Sequence, residues 1–444
     1  MNESFKTIKG AIVAPQGFRA AGVFCDIKRL GTGKGSNKGR KPDLALIVSE
    51  VPAAVAGMFT TNQVCAAPVK VCLPRVQKGT AQAIVVNSGN ANACTGPQGM
   101  KDALAMTAVT AKALHLPVEH VLVGSTGRIG VTLPMDNVRA GIREAAAQLG
   151  DTREHAAAAA EAILTSDTRR KEIAVEFKLS GKRVRLGGIC KGAGMIQPGM
   201  SATGKRPAVT PPHATMLCFL TTDAAVEAGW LQVCLEEAVA AGFNRITVDG
   251  DMSTNDTVLL LANGLAGNPA SGIRHPASRD SLTFRHALNH VCLELAKMIV
   301  RDGEGVTRFV TVRVAGARTW ADADAAARAV ANSALVKTSW FGGDPNWGRI
   351  MGALGYSAAK VVENKVDIGY SAPGSFNVLW SLKRGQPTAV SFKRLCAAVA
   401  RKEFDLHINL NLGGERALIY AADLTEKYVD FNKGDVSDPA ALGG

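Results

Sequence analysis

Apolar and polar positions alternate along the chain in short blocks. From Ala11 to Cys25 and from Asp43 to Leu73, runs of strand length such as DLALIVSE, AAVAGMFTT and APVKVCL are broken by Pro, Gly and Asn, a pattern that predicts strands. QAIVVNSGNANACTG then carries a strand into a polar loop before a helix over Gln98 to Leu114, and VLVGSTGRIG, Val121 to Gly130, repeats the form. Ala-rich helices are expected at Asn137 to Leu149 and Arg153 to Leu164. TSDTRRKEIAVEF leads into a strand pair that ends near Lys191, and Met216 to Leu220 is a buried strand closed by Thr221 and Thr222. Further helices are predicted at Val226 to Ala241, Leu282 to Val300, Asp322 to Ala334 and Ala389 to Lys402, with strands in TVLLLANG and after RDGEG. Ser339 to Gly355, rich in Trp, Gly and Asn, reads as either a rigid turn or a binding loop. DLHINLNLGGERALIYAADLT begins with period two and predicts a closing hairpin.

At 444 residues the chain exceeds the size at which one core stops growing, so two lobes or one large layered domain are expected. A net charge of +13 raises the question of a polyanion partner, yet Lys and Arg are spread out apart from the cluster Lys28 to Lys41. That cluster reads as a solvated loop whose Gly31, Gly33 and Gly35 lack the Gly-Lys-Ser/Thr ending of a phosphate loop. Without a basic face interleaved with aromatics, nucleic-acid binding is the remote alternative, and the charge suits anionic small substrates. Nine cysteines with no Cys-x-x-Cys suit buried thiols in a reducing compartment. Neither a signal-peptide core nor a run of membrane-spanning length is present, so a cytoplasmic protein is expected. His286 and His290 stand four apart on one predicted helix but lack the Glu and third ligand of a zinc site, and no metal is expected.

Candidate chemistry gathers at Cys190 to Thr222. Thr215 stands directly before a buried strand; were the Ala214–Thr215 bond cut, its hydroxyl would be joined by an α-amine titrating near ~8, a nucleophile and a base in one residue. A threonine that merely starts a strand is the plain alternative. Asn87, Ser88, Gly89, Asn90 and Asn92 crowd amides and N–H groups that suit either a ligand cradle or a capped turn. Ser125, Thr126 and Gly127 offer the hydroxyl and flexible N–H that an oxyanion hole uses, or a tight turn. Lys191 is framed by small residues, and Glu304 sits in a Gly-flanked turn.

These stretches, MFTTNQVCAAPV, NSGNANACTG, GSTGRIG, TSDT, KGAGMI, ATML, DGDMSTNDT, DGEG, GGDPNWGRI and ADLTEKYVDFN, closely resemble the ornithine acetyltransferase family, the bifunctional glutamate N-acetyltransferases of arginine biosynthesis. The resemblance implies an α/β (α+β) protein, an amidohydrolase-like α/β/β/α sandwich of the D-aminopeptidase type with a second C-terminal α/β lobe. It also implies self-cleavage into an α-chain-like 1–214 and a β-chain-like 215–444. Carried over residue by residue, Thr215 looks like the nucleophile freed after Ala214, and Thr126 and Gly127 look like the oxyanion pair. Thr168, Lys191, Thr215, Glu304, Asn432 and Ser437 resemble substrate contacts. The expected reaction moves acetyl from N-acetylornithine to glutamate through an acetyl-threonine ester, with no cofactor, acetyl-CoA as a second donor, and a heterotetramer of two α and two β chains. An aminopeptidase-like hydrolase of the same fold is the alternative.

The chain departs from the family's pattern at Met252, where a small hydroxyl residue is usual, and in the tail around Ser437. It also inserts residues between Met200 and Ala214, which creates a second Ala-Thr junction at Ala202–Thr203. A strand start holds a nucleophile rigidly, whereas Thr203 is followed by Gly, Lys, Arg and Pro; the expected cut is therefore at Thr215, with 201–213 as a surface loop.

Overall fold

A computed structural model describes residues 5–28, 40–205, 216–274 and 276–433. In chain order the strands are β1 (Phe5–Ile8), β2 (Phe18–Val23), β3 (Leu44–Thr60), β4 (Thr80–Asn90), β5 (Val121–Arg128), β6 (Lys171–Leu179), β7 (Lys182–Lys191), β8 (Met200–Ser201), β9 (Leu217–Thr222), β10 (Ile246–Thr247), β11 (Thr257–Ala262), β12 (Phe309–Ala317), β13 (Asp367–Ser371), β14 (Leu379–Lys383), β15 (Gln386–Pro387), β16 (Glu403–Asn409) and β17 (Glu415–Ala422). They fall into two units, one built from Met1–Asn244 and Asp251–Ile299, the other from Arg245–Gly250 and Val300–Lys433.

The first unit holds a ten-stranded sheet in the order β1-β6-β7-β9-β11-β3-β4-β5, with β2 and β8 also pairing β3. The β9–β11 and β4–β5 pairs are parallel. Every residue of β9 is buried, which is why Met216 to Leu220 reads as an unbroken apolar run rather than an alternating one. Helices Ala67–Val76, Gly96–Leu114, Met135–Ala147, Arg153–Ala162 and Ala228–Ala241 belong to this unit, and one core joins β3, β4 and β5 to the apolar faces of the first four. The second unit is a seven-stranded sheet, β10-β17-β12-β16-β13-β14-β15, packed with helices Trp320–Asn332, Ala334–Gly342 and Trp347–Gly355. The mixed α/β class and the separate C-terminal lobe are as the sequence led one to expect.

Three local readings are corrected. APVKVCL is not a strand but the start of helix Ala67–Val76, with Pro68 in the first turn, where its missing N–H costs nothing, and Pro68, Cys72 and Val76 buried along one face. The runs on either side of Pro52 form one 17-residue strand, β3, whose pairing with β4 shifts register between Val48 and Ala53 and so accommodates the proline. The closing segment is no hairpin, because β12 lies between β16 and β17, parallel to the first and antiparallel to the second. Ser339 to Gly355 resolves as a rigid structural turn: one helix ends at Gly343, φ +68°, and the next is capped by Asn346, whose side chain accepts from Arg349 N–H at 3.1 Å.

Candidate active site

Thr126 and Gly127 lie at the C-terminal end of β5, beside Ser88 and Gly89 of parallel β4. Thr126 is 1% exposed. Gly127 has φ +132°, and a Cβ there would stand 2.3 Å from the Gly89 carbonyl carbon and 2.5 Å from Asn90 N, so only glycine lets the two backbones meet. The Asn-rich loop after β4 is held by its own side chains. Asn87 Nδ2 donates to Asn90 O (2.8 Å) and Ser125 Oγ to Asn87 Oδ1 (2.6 Å). Asn90 Nδ2 donates to Val131 O (3.0 Å), and Asn92 Nδ2 to Gly99 O (2.8 Å). These bonds hold the loop after β4 against the C-terminal end of β5 and the helix that follows.

Thr215 and Ala214 lie outside the described residues, as does Ser437. The next residue, Met216, is fully buried and leads into β9; its N–H donates to Asp256 Oδ1, and its carbonyl accepts from Thr257 N–H at 3.0 Å. The competing Thr203 stands in an exposed turn, where its hydroxyl accepts from Lys205 N–H at 3.3 Å. Of the expected 201–213 loop, residues 202–205 form that turn after β8, and 206–213 lie outside the described residues.

Lys191 closes β7, opposite Leu217 of β9, and is 3% exposed. Beside it lies a residue that sequence reasoning passed over, Asp167 of the TSDT string. Its side chain is fully buried, accepts from Lys171 Nζ at 2.6 Å and from Gly192 N–H at 2.7 Å, and with its other oxygen from Thr165 N–H at 3.0 Å. Burial pushes its carboxyl up, but Lys191, Lys171 and the Gly192 N–H outweigh burial and hold it well below the usual carboxylate range. Asp167 thus supplies a fixed negative charge near Lys191, and the neighbouring Thr168 is exposed.

In the second unit, Glu304 and Asn432 meet directly: Asn432 Nδ2 donates to Glu304 Oε2 at 2.9 Å and to Tyr428 O at 2.9 Å. Helix Glu426–Asn432 is fastened to the Glu304 turn by Thr425 Oγ1, which donates to Gly305 O at 2.8 Å. Nearby, Lys337 is buried and donates to Ala422 O; burial lowers it to about 8 against the pull of Asp249 and Asp423. His290 lies against Phe5 with ring centroids 4.7 Å apart, and no group of three or more His, Cys, Asp and Glu that could hold a metal occurs among the described residues. All nine cysteines are free thiols.

Within the first unit lie a buried hydroxyl and a positive-φ glycine at one strand end and a buried lysine beside a fixed carboxylate; the Glu–Asn pair belongs to the second unit. Known proteins were compared on that basis. The profile of the ArgJ family matches residues 19–434. The arginine biosynthesis bifunctional protein ArgJ of Symbiobacterium thermophilum is 47% identical over 425 residues, 96% of this chain and 98% of that protein. Its counterpart in Geobacter sulfurreducens is 45% identical over 418 residues, 94% and 98% of the two chains. Among solved structures, ornithine acetyltransferase from Mycobacterium tuberculosis, complexed with ornithine, is 36% identical and aligns with TM-score 0.40 over 44% of this chain and 100% of that one. The chain belongs to the ArgJ family.

Proposed function

We propose that the chain cuts itself between Ala214 and Thr215 and then moves the acetyl group of N-acetylornithine to glutamate. The observation that carries this reading is the end of β5, where Thr126 and a Gly127 that no other residue can replace sit in the same sheet as the strand that Thr215 precedes. In the first half-reaction the Thr215 hydroxyl attacks the acetyl carbonyl, its α-amine takes the proton, and Thr126 and Gly127 stabilise the oxyanion. The amide C–N bond breaks, the proton passes to the departing amine, and ornithine leaves an acetyl-threonine ester. In the second, the glutamate amine attacks that ester and restores the hydroxyl. Lys191 meets a substrate carboxylate, Glu304 and Asn432 receive the ammonium and head group, and Thr168 and Ser437 complete the contacts. The reaction needs no cofactor, accepts acetyl-CoA as a second donor, and runs in a cytoplasmic heterotetramer of two α and two β chains. No helix among the described residues is long and apolar enough to cross a membrane.

Intact mass under denaturing conditions, with acetyl transfer followed in parallel, tests the reading. Wild type gives two fragments that sum to the whole chain, the second starting Thr-Met-Leu-Cys, whereas Thr215→Ala stays one chain and transfers nothing. Efficient processing of Thr215→Ala would assign the chemistry to another residue, and a fragment starting Thr-Gly-Lys-Arg would move it to Thr203.

A further inference from the structure

The segment Ser253 to Thr257 has been given no chemical role, yet its side chains reach both halves of the catalytic apparatus. Asn255 is 2% exposed and spends both amide hydrogens on backbone carbonyls, donating to Ala91 O at 2.7 Å and to Ser125 O at 2.9 Å. Ser125 is the residue before Thr126. The adjacent Asp256 is fully buried, and its Oδ1 accepts from the N–H of Met216, the residue after Thr215. The segment itself is rigid: Asn255 N–H donates to Ser253 Oγ (2.9 Å), Thr257 Oγ1 to Asn255 O (2.8 Å), Thr60 N–H to Asp256 O (2.8 Å) and Thr60 Oγ1 to Ser253 O (2.7 Å).

We propose that Asn255 and Asp256 are a pair of positioning residues, a two-residue strut that ties Met216, the residue after Thr215, to the Thr126–Gly127 end of β5. This rests on the reading of Thr215 as nucleophile. The β9–β11 ladder begins only at Leu217↔Thr257, so the N–H of Met216 has no strand partner, and a side chain takes over one residue before the ladder starts. Asn255 fixes the other end with two donors, which leaves the loop after β4 and the end of β5 no freedom to drift apart. Catalytic groups must be held to within about 0.5 Å, and a displacement of about 1 Å costs on the order of 10²-fold in rate.

Fold maintenance alone does not account for the Asp256 carboxyl. Its Oδ2 has no hydrogen-bond partner among the described residues, although an unpaired buried polar atom costs about 1–3 kcal/mol. Burial pushes the carboxyl well above the usual carboxylate range against the Met216 N–H and Lys191. What the geometry uses is its Oδ1 acceptor. Asn keeps an acceptor oxygen of that shape, and the test turns on this.

Full-length wild type, N255A, N255S, D256L and D256N are compared for the rate of self-cleavage by intact mass, for kcat and KM of acetyl transfer, and for Tm. N255A and D256L are expected to slow cleavage and kcat together by about 10²-fold with KM within threefold of wild type. N255S, keeping one donor, falls between, and D256N recovers both rates to within about tenfold. If N255A or D256L yields no folded protein, N255S and D256N carry the test. Cleavage and kcat unchanged in folded N255A and D256L, or in N255S, overturn the strut. D256N as inactive as D256L overturns it too, because the carboxyl would then be moving protons itself. A wild type that cleaves but transfers no acetyl to glutamate sinks the functional reading instead, and the cleavage rates still decide the strut.

Discussion

A methyl group at residue 127 has nowhere to go. Gly127→Ala would place its Cβ against the backbone of Gly89 and Asn90 at 2.3 to 2.5 Å, with φ at +132°, and neither neighbour is a side-chain tip that can swing aside. Gly127→Ala is expected to abolish self-cleavage and transfer and to lower Tm; processing at the wild-type rate would remove Gly127 from the site. Thr126→Ala, a milder change, is expected to slow both steps by about 10²-fold, the cost of one oxyanion donor, with Tm nearly unchanged. Asp167 acts through charge. Its carboxyl is held below the usual range in the fold, so it stays ionised where the unfolded chain's aspartate, with pKa about 3.9, begins to bind protons. Its contribution to stability is therefore full above about pH 5 and is lost as the pH falls through 4 and below. Asp167→Asn removes the carboxylate that the buried Lys171 Nζ meets at 2.6 Å and is expected to cost about 3–5 kcal/mol at pH 7. Urea midpoints from pH 7 to pH 3 check this: the variant should lose less stability than wild type on the acid side, and equal slopes would deny Asp167 the role.

Among the elements, β9 decides most. Phe219, fully buried in β9, lies in contact range of Gly124 in β5, where a Cβ would be 3.3 Å from the ring, so β9 is also packed against β5. Phe219→Ala is expected to cost about 3–5 kcal/mol in urea denaturation, and a loss below about 1 kcal/mol would show that the core closes over the gap. This strand was plain in the sequence because a centrally buried strand shows every residue as apolar, and helices such as Arg153–Ala162 were plain because propensity and burial agree. Elements whose identity depends on distant neighbours were not. Val69, Lys70, Val71 and Cys72 have a strand-like alternation, and only packing of the helix makes Cys72 and Val76 neighbours. The strands around Asn-Leu-Gly-Gly look like a hairpin until β12, nearly a hundred positions earlier in the chain, is seen between them. The candidate site divides in the same way. Thr126, Gly127 and Lys191 stood out by local chemistry and by the family's strings, while Asp167, Asn255 and Asp256 sat unremarked inside two of those strings. The partners that tie them across the fold, Gly192, Met216, Ser125 and Ala91, lie 25 to 164 positions away, and no local pattern encodes them.

For the whole first unit, the order of strands matters more than any contact within it. Reading across the sheet, β7, β9, β11 and β3 come from the two sides of the Ala214–Thr215 junction in the pattern before, after, after, before. Cutting that bond therefore leaves both pieces as neighbours in one hydrogen-bonded sheet, with β9 on β7 over six residues and β11 on β3 over six more. The fragments are expected to co-elute in gel filtration under native conditions and to separate only in denaturant; native separation would contradict the pairing. The same interleaving makes the proposed cut a change in reaction order. Before it, the chain folds as one molecule, and its refolding rate is independent of concentration. Afterwards neither piece can complete the ten-stranded sheet alone, the two must find one another, and refolding slows in proportion to dilution. A cell that makes this protein would then have one unimolecular opportunity to fold it, and each mature copy would persist for as long as its unfolding barrier holds.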